Sequence, residues 1–187
     1  MSLGLYLHIP YCFSKCRYCD FYSHPGERGV PEAYVDALLR ELSRFAPEAP
    51  LQPDTLYFGG GTPSLLRPEQ AKRLIDAARP MPGAEITLEA NPETVTEESL
   101  AGFREAGVNR ISFGVQSARD TQLRTLGRPH TAKQARAAFA AARRAGFANI
   151  SGDIMLALPH YTEAEFDETL ELIEDGGATH ISAYLLK

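Results

Sequence analysis

Gly107-Val108-Asn109-Arg110-Ile111-Ser112-Phe113-Gly114-Val115-Gln116-Ser117 is the stretch whose reading decides how this chain is built. Gly107 is the residue type that ends a helix. Residues 108–115 read as a strand, and Gly114-Val115-Gln116-Ser117 closes it with glycine and polar groups. The layout returns twice. Gly146-x3-Ile150-Ser151 and Gly177-x3-Ile181-Ser182 repeat Gly107-x3-Ile111-Ser112 at steps of 39 and 31 residues. Each step is the size of one helix, one strand and two loops. Strands and helices alternating in such units build a parallel sheet with right-handed crossovers.

Working outward, strands are expected at 3–9, 54–58, 84–90, 108–115, 148–158 and 179–186, six in all. A helix over 31–46 has Pro31 at its start, Val35, Leu38, Leu39, Leu42 and Phe45 on one face, and Pro47 and Pro50 as its stop. A second over 68–79 starts at Pro68 and aligns Ala71, Leu74, Ile75 and Ala78. Thr94 with Glu97, Thr131 with Gln134 and Thr162 with Glu165 have capping-box spacing. The helices behind them carry Leu100 and Phe103, then Ala135, Ala138, Phe139 and Ala142, then Phe166, Leu170 and Ile173. A short helix over 119–126 takes Ser117 as its cap. The chain stops at Leu185-Leu186-Lys187, inside the last strand, so residues 1–187 are expected to be one domain from the N-terminal part of a longer protein.

Two architectures accommodate six parallel strands: a doubly wound open sheet, or a β/α barrel or part of one. The unusual polar residues favour the barrel. Cysteines follow the first strand, Gly59–Thr62 the second, Glu89 and Asn91 end the third, Gln116 ends the fourth, and Asp153 lies within the fifth. A barrel brings such strand ends to one mouth, whereas an open sheet spreads them along a line. The fold class expected is therefore α/β, a partial (β/α)6 TIM-like barrel.

All three cysteines lie in Tyr11-Cys12-Phe13-Ser14-Lys15-Cys16-Arg17-Tyr18-Cys19-Asp20, spaced C-x3-C-x2-C. An odd number in eight residues is a poor disulfide framework and a good way to aim several thiolates at one soft metal centre. An iron–sulfur cluster and a zinc site with His8 or His24 as fourth ligand both fit the spacing. Asp153, a carboxylate in an apolar run, needs a polar lumen, a cation, a ligand or a structural partner such as Arg128. The net charge of −5 argues against a broad nucleic-acid footprint. Arg143-Arg144, and Arg124 with Arg128, read as solvated helix faces rather than a basic patch. No run of 18 apolar residues and no signal peptide is seen, which with reduced, clustered cysteines points to the cytoplasm. Peripheral membrane contact stays open.

C-x3-C-x2-C with Tyr18 before the last cysteine resembles the signature of the radical S-adenosylmethionine (SAM) superfamily. The likeness extends, in order, over Tyr6-Leu7-His8-Ile9-Pro10, Gly59-Gly60-Gly61-Thr62-Pro63-Ser64, Glu89-Ala90-Asn91-Pro92, Gly114-Val115-Gln116-Ser117 and Asp153 through Leu158-Pro159. This set resembles the branch of oxygen-independent coproporphyrinogen III oxidase and the HemW-type heme chaperones. The resemblance implies a six-stranded partial barrel, a [4Fe–4S] cluster on Cys12, Cys16 and Cys19, and SAM bound at the open iron and cleaved reductively. It implies SAM contacts from Gly60, Gly61, Thr62, Glu89, Gln116, Arg128 and Asp153, with Tyr6 and Tyr18 at aromatic positions near the cofactor. The oxidase pattern carries a fourth cysteine two residues after the third, where this chain has Phe21. Cys19-Asp20-Phe21 instead resembles the HemW-type branch, regarded as binding heme and delivering it to acceptor proteins. The expectation is a chaperone with heme as cargo in the full-length protein, an electron donor and a heme acceptor as partners. The alternatives are the oxidase and a non-catalytic metal-stabilised module. His8 is expected to be a satisfied strand histidine, and His24, His130, His160 and His180 have no convergent spacing.

Overall fold

The computed structural model describes residues 2–45 and 51–186. The helix stop expected at Pro47 and Pro50, and the terminal Lys187, lie outside the described residues. Six strands form one parallel sheet: β1 (Gly4–Ile9), β2 (Thr55–Gly60), β3 (Glu85–Ala90), β4 (Arg110–Gln116), β5 (Asn149–Leu156) and β6 (His180–Leu185). Their spatial order is their chain order, with no reversal. A doubly wound sheet needs a reversal, because its helices cover both faces. Here every crossover returns to the neighbouring strand, so the helices share one face and the sheet curls as a barrel does. Among the described residues β1 and β6 do not pair, which leaves the barrel partial.

Strand alternation separates the two faces. Leu7, Phe58, Leu88, Ile111 and Ile150 are register partners across five strands, and all are buried. They pack under α1 (Glu32–Phe45), α2 (Pro68–Ala78), α3 (Glu97–Ala106), α5 (Ala132–Arg144) and α6 (Glu163–Asp175) in the main core; α4 (Asp120–Leu126) is shorter. The rows pointing the other way are polar. Tyr6, Tyr57, Thr87, Arg110 and Asn149 make one, and Glu89, Ser112, Ser151 and His180 the next. A third is Gly114, Asp153 and Ser182. The lumen is therefore lined with hydrogen-bonding groups, unlike the branched apolar layers that fill a complete TIM barrel.

The helix faces read from periodicity are buried or, at Leu38, Leu39, Phe166 and Leu170, partly buried against the core; Phe45, at the end of α1, is instead 75% exposed. The expected boxes at Thr131 and Thr162 form, but the third is displaced. Pro92–Thr94 is a 3-10 turn, and α3 starts two residues later with Thr96 and Ser99 as its box. Thr94 is held instead by Ser64 Oγ at 2.6 Å and Asn91 O at 2.9 Å. Ser117 likewise does not sit at the N-cap of α4, which is Arg119; its hydroxyl accepts the Arg119 N–H at 3.0 Å. Arg128 belongs to no surface patch, being only 9% exposed. No helix among the described residues is long and apolar enough to cross a membrane.

Candidate functional site

A cavity of about 560 Å³ opens at the C-terminal ends of the strands. Cys12, Cys16, Cys19, Tyr18, Gly60, Gly61, Thr62, Glu89, Gln116, Arg128 and Asp153 all line it. Tyr6 does not. It lies in the first polar row, 54% exposed, with its ring stacked on Tyr57 at 6.0 Å and its hydroxyl 3.2 Å from His8 Nδ1. Sequence order placed it near the cysteines, but strand pitch leaves it two rows below the mouth.

The cysteine loop is held from three sides. Tyr11–Cys12 bridges His24–Pro25 in a short parallel pair. The turn after β2 donates Gly61 N–H to Ile9 O and Thr62 N–H to Tyr11 O, both at 2.8 Å. Arg17 N–H reaches Leu126 O at the end of α4 at 3.0 Å. Gly61 is required by this approach: a Cβ there would sit 2.7 Å from Tyr11 O and 2.9 Å from Cys12 Sγ. The three cysteines are free. Two are joined through a chain of side chains. Thr62 Oγ1 donates toward Cys12 Sγ at 3.7 Å, Asn91 Nδ2 donates to Thr62 Oγ1 at 3.1 Å, and Arg128 Nη2 donates to Asn91 Oδ1 at 2.8 Å. Arg128 Nη1 then points at Cys16 Sγ at 3.4 Å. A buried guanidinium is a charge-assisted donor toward that sulfur.

The opposite wall is acidic. Tyr57 donates its hydroxyl to Glu89 Oε1 at 2.8 Å, and Gly60 N–H donates to Glu89 Oε2 at 3.3 Å. Asp153 accepts from Ser112 Oγ at 3.1 Å. Burial pushes both carboxyls above their ordinary range, against these hydrogen bonds, and for Glu89 the charge of Asp153 adds to the effect. The Asp153–Arg128 pair considered from sequence does not form; the carboxylate takes hydroxyl partners, and Arg128 turns to the cysteine side. Two half-buried carboxylates in one lumen are a site for a ligand that brings positive charge.

At the end of β4 the ladder slips: Gly114 pairs with Asp153 and Gln116 with Ile154. Gln116 takes a left-handed φ of 67°, a costly state for a non-glycine residue. Its Oε1 is buried with no hydrogen-bond partner, an acceptor left over at the cavity wall. His8 is satisfied as expected, through Tyr6 and, at Nε2, the Tyr22 carbonyl oxygen at 3.1 Å. His24 contacts the Tyr22 hydroxyl. Neither histidine lines the cavity. Motif spacing does not single out Ser112 and Tyr184, which line the cavity, or Tyr57, which holds Glu89. Period-two alternation from Gly59, Gly114 and Ser182 was the signal that could have found them.

The donor set fits a cluster and a charged organic cofactor together: three free thiols, two half-buried carboxylates and an orphaned acceptor line one cavity. The sequence matches the Radical SAM superfamily over residues 6–173, and the chain belongs to that superfamily. Membership implies a [4Fe–4S] cluster and SAM. The heme chaperone HemW of Escherichia coli (strain K12) is 40% identical over 190 residues, covering 98% of this chain and 50% of that protein. The heme chaperone HemW of Bacillus subtilis (strain 168) is 38% identical over 188 residues, covering 97% and 49%. Among solved structures, coproporphyrinogen III oxidase (HemN) from Escherichia coli, a radical SAM enzyme, superposes with a TM-score of 0.88 at 29% identity, covering all of this chain and 44% of that one. The chain spans about half the length of the curated relatives it matches.

Proposed function

We propose that this chain is the cofactor-binding core of a cytoplasmic heme chaperone of the HemW type. In this reading Cys12, Cys16 and Cys19 hold a [4Fe–4S] cluster, and Tyr18, Gly60, Gly61, Thr62, Glu89, Gln116, Arg128 and Asp153 hold SAM beside it. When bound, the cluster supplies the single electron that reductive cleavage of SAM requires. The observation that carries the reading is the convergence of eleven sequence-predicted residues, drawn from five strand ends and one loop, on one cavity. Tyr6 stacks on Tyr57, whose hydroxyl holds Glu89.

The protein's own groups have complementary tasks. The Gly60 and Gly61 N–H groups are committed to Glu89 and Ile9, which leaves acceptors on that turn, the polarity an ammonium group needs. Glu89 and Asp153 offset positive charge, and a ligand that does so lowers the cost of their burial. Gln116 offers its unpaired oxygen to an N–H or O–H. Arg128 and Thr62 orient the sulfurs of Cys16 and Cys12. The relatives named HemW support the chaperone assignment over the oxidase, as does Phe21 at the position of the oxidase's fourth cysteine. Heme as cargo, and an electron donor and an acceptor protein as partners, belong to the same reading of the full-length protein.

Anaerobic reconstitution tests the first layer. About four irons and four sulfides per chain, lost in Cys16→Ser, with a SAM-induced shift of the reduced cluster's EPR signal that weakens in Glu89→Gln, is the expected result. One stoichiometric zinc overturns it. For the second layer, full-length protein is expected to bind heme and transfer it without consuming coproporphyrinogen III. Decarboxylation of the porphyrinogen would replace the chaperone reading with the oxidase.

A further inference from the structure

His130 is only 2% exposed, and the cofactor reading gives it nothing to do. Its Nε2 lies 3.1 Å from Val115 O, the carbonyl just before the strained Gln116. Its Nδ1 lies 3.3 Å from Glu93 Oε2. Both of those atoms are buried and neither makes a hydrogen bond, so the contact is a close approach of ring to carboxylate. Glu93 sits in the 3-10 turn that follows Asn91. His130 follows Arg128 by two residues, across Pro129, whose ring fixes one backbone torsion of the link. One imidazole therefore ties together the three segments that carry Asn91, Gln116 and Arg128 to the cavity wall.

A buried carboxylate is tolerated only when paired. Burial would raise the Glu93 carboxyl, but the His130 ring and the Arg128 charge hold it below its ordinary value. The pair and the guanidinium form one electrostatic unit, with Arg128 directed outward to Cys16, Asn91 and the Gly114 carbonyl. Gly114 makes the fit close: a Cβ there would lie 2.5 Å from Arg128 Nη2. A guanidinium packed this tightly depends on how its own loop is anchored.

We propose that Glu93 and His130 are positioning residues that clasp the Arg128-Pro129-His130 loop and set cofactor affinity through Arg128. This rests on the reading of the cavity as a SAM site beside a cluster. The test is a double-mutant cycle on full-length protein, reconstituted anaerobically, with SAM titrated against the reduced cluster's EPR signal. Glu93→Gln is expected to weaken SAM binding about tenfold, or about 1.4 kcal/mol. In an Arg128→Lys background the same change costs about twofold or less, because the group it positions is already altered. His130→Gln, which keeps a donor toward Val115 O, runs the same cycle if Glu93→Gln does not reconstitute. Ile75→Val, in a helix that forms none of the cavity wall, serves as a destabilised control with unchanged SAM affinity. Parent-like affinity in Glu93→Gln and His130→Gln, or full additivity with Arg128→Lys, overturns the clasp while leaving the SAM site standing. A reconstituted parent with no response to SAM overturns both.

Discussion

Gly114→Ala should loosen the site from inside. Gly114 has an ordinary strand backbone, so alanine meets no torsional objection there, and the cost is one of space. The added Cβ would lie 2.5 Å from Arg128 Nη2 and 3.1 Å from both Asn91 Oδ1 and Gln116 Nε2. An ordinary contact begins near 3.4 Å, so the guanidinium must retreat by 3.4 − 2.5 = 0.9 Å. That is enough to break the 2.8 Å bond to Asn91. A buried hydrogen bond to a charged group contributes about 1.5–3 kcal/mol. Alanine returns about 0.5–1 kcal/mol of backbone entropy relative to glycine. The net loss is about 0.5–2.5 kcal/mol, which for a chain of this size lowers Tm by about 1–10 °C. Thermal unfolding of the ligand-free protein measures it, with Gly29→Ala as control. The nearest atom to a Cβ at Gly29 is Leu65 O at 3.9 Å, so that variant should be neutral or slightly stabilised. A Gly114→Ala protein as stable as its parent would refute the claim that Arg128 is wedged in place.

Two further outcomes follow from burial. Glu89 and Asp153 have carboxyls raised by burial, so the folded protein holds their protons more tightly than the unfolded chain. Their favourable contribution is complete below the unfolded pKa values and is lost as pH rises through the folded ones. Glu89→Gln and Asp153→Asn should therefore raise the Tm of ligand-free protein near neutral pH and do so much less near pH ~4, while weakening SAM binding; a lower Tm at neutral pH would contradict this. Phe139 is fully buried, its ring edge-on to Phe113 at 5.2 Å, and Phe139→Ala should cost about 3–5 kcal/mol in denaturant unfolding with an unchanged m-value.

What the sequence determined by itself were the features set by near neighbours. Alternating segments, glycine helix ends and two of three capping boxes depend on residues within a few positions, and they stand in the structure. The cysteine spacing belongs to the same class, because three thiols in eight residues must share one loop wherever the chain goes. The strand-end logic also held: residues that end parallel strands meet at one mouth whichever side chains they are, which brought Glu89, Gln116 and Asp153 together. Only the tertiary structure decided the matters that rest on register and packing between distant strands. The unreversed strand order made the sheet a partial barrel, and its pitch set Tyr6 below the cavity. Space around Gly114 sent Arg128 to Cys16 and Asn91 rather than to Asp153. Ser64 drew Thr94 out of its expected cap. Glu93 and His130 are 37 residues apart in the chain and show no spacing that pairs them. They meet because β3, β4 and the loop before α5 end at the same level, which brings the two buried atoms to 3.3 Å.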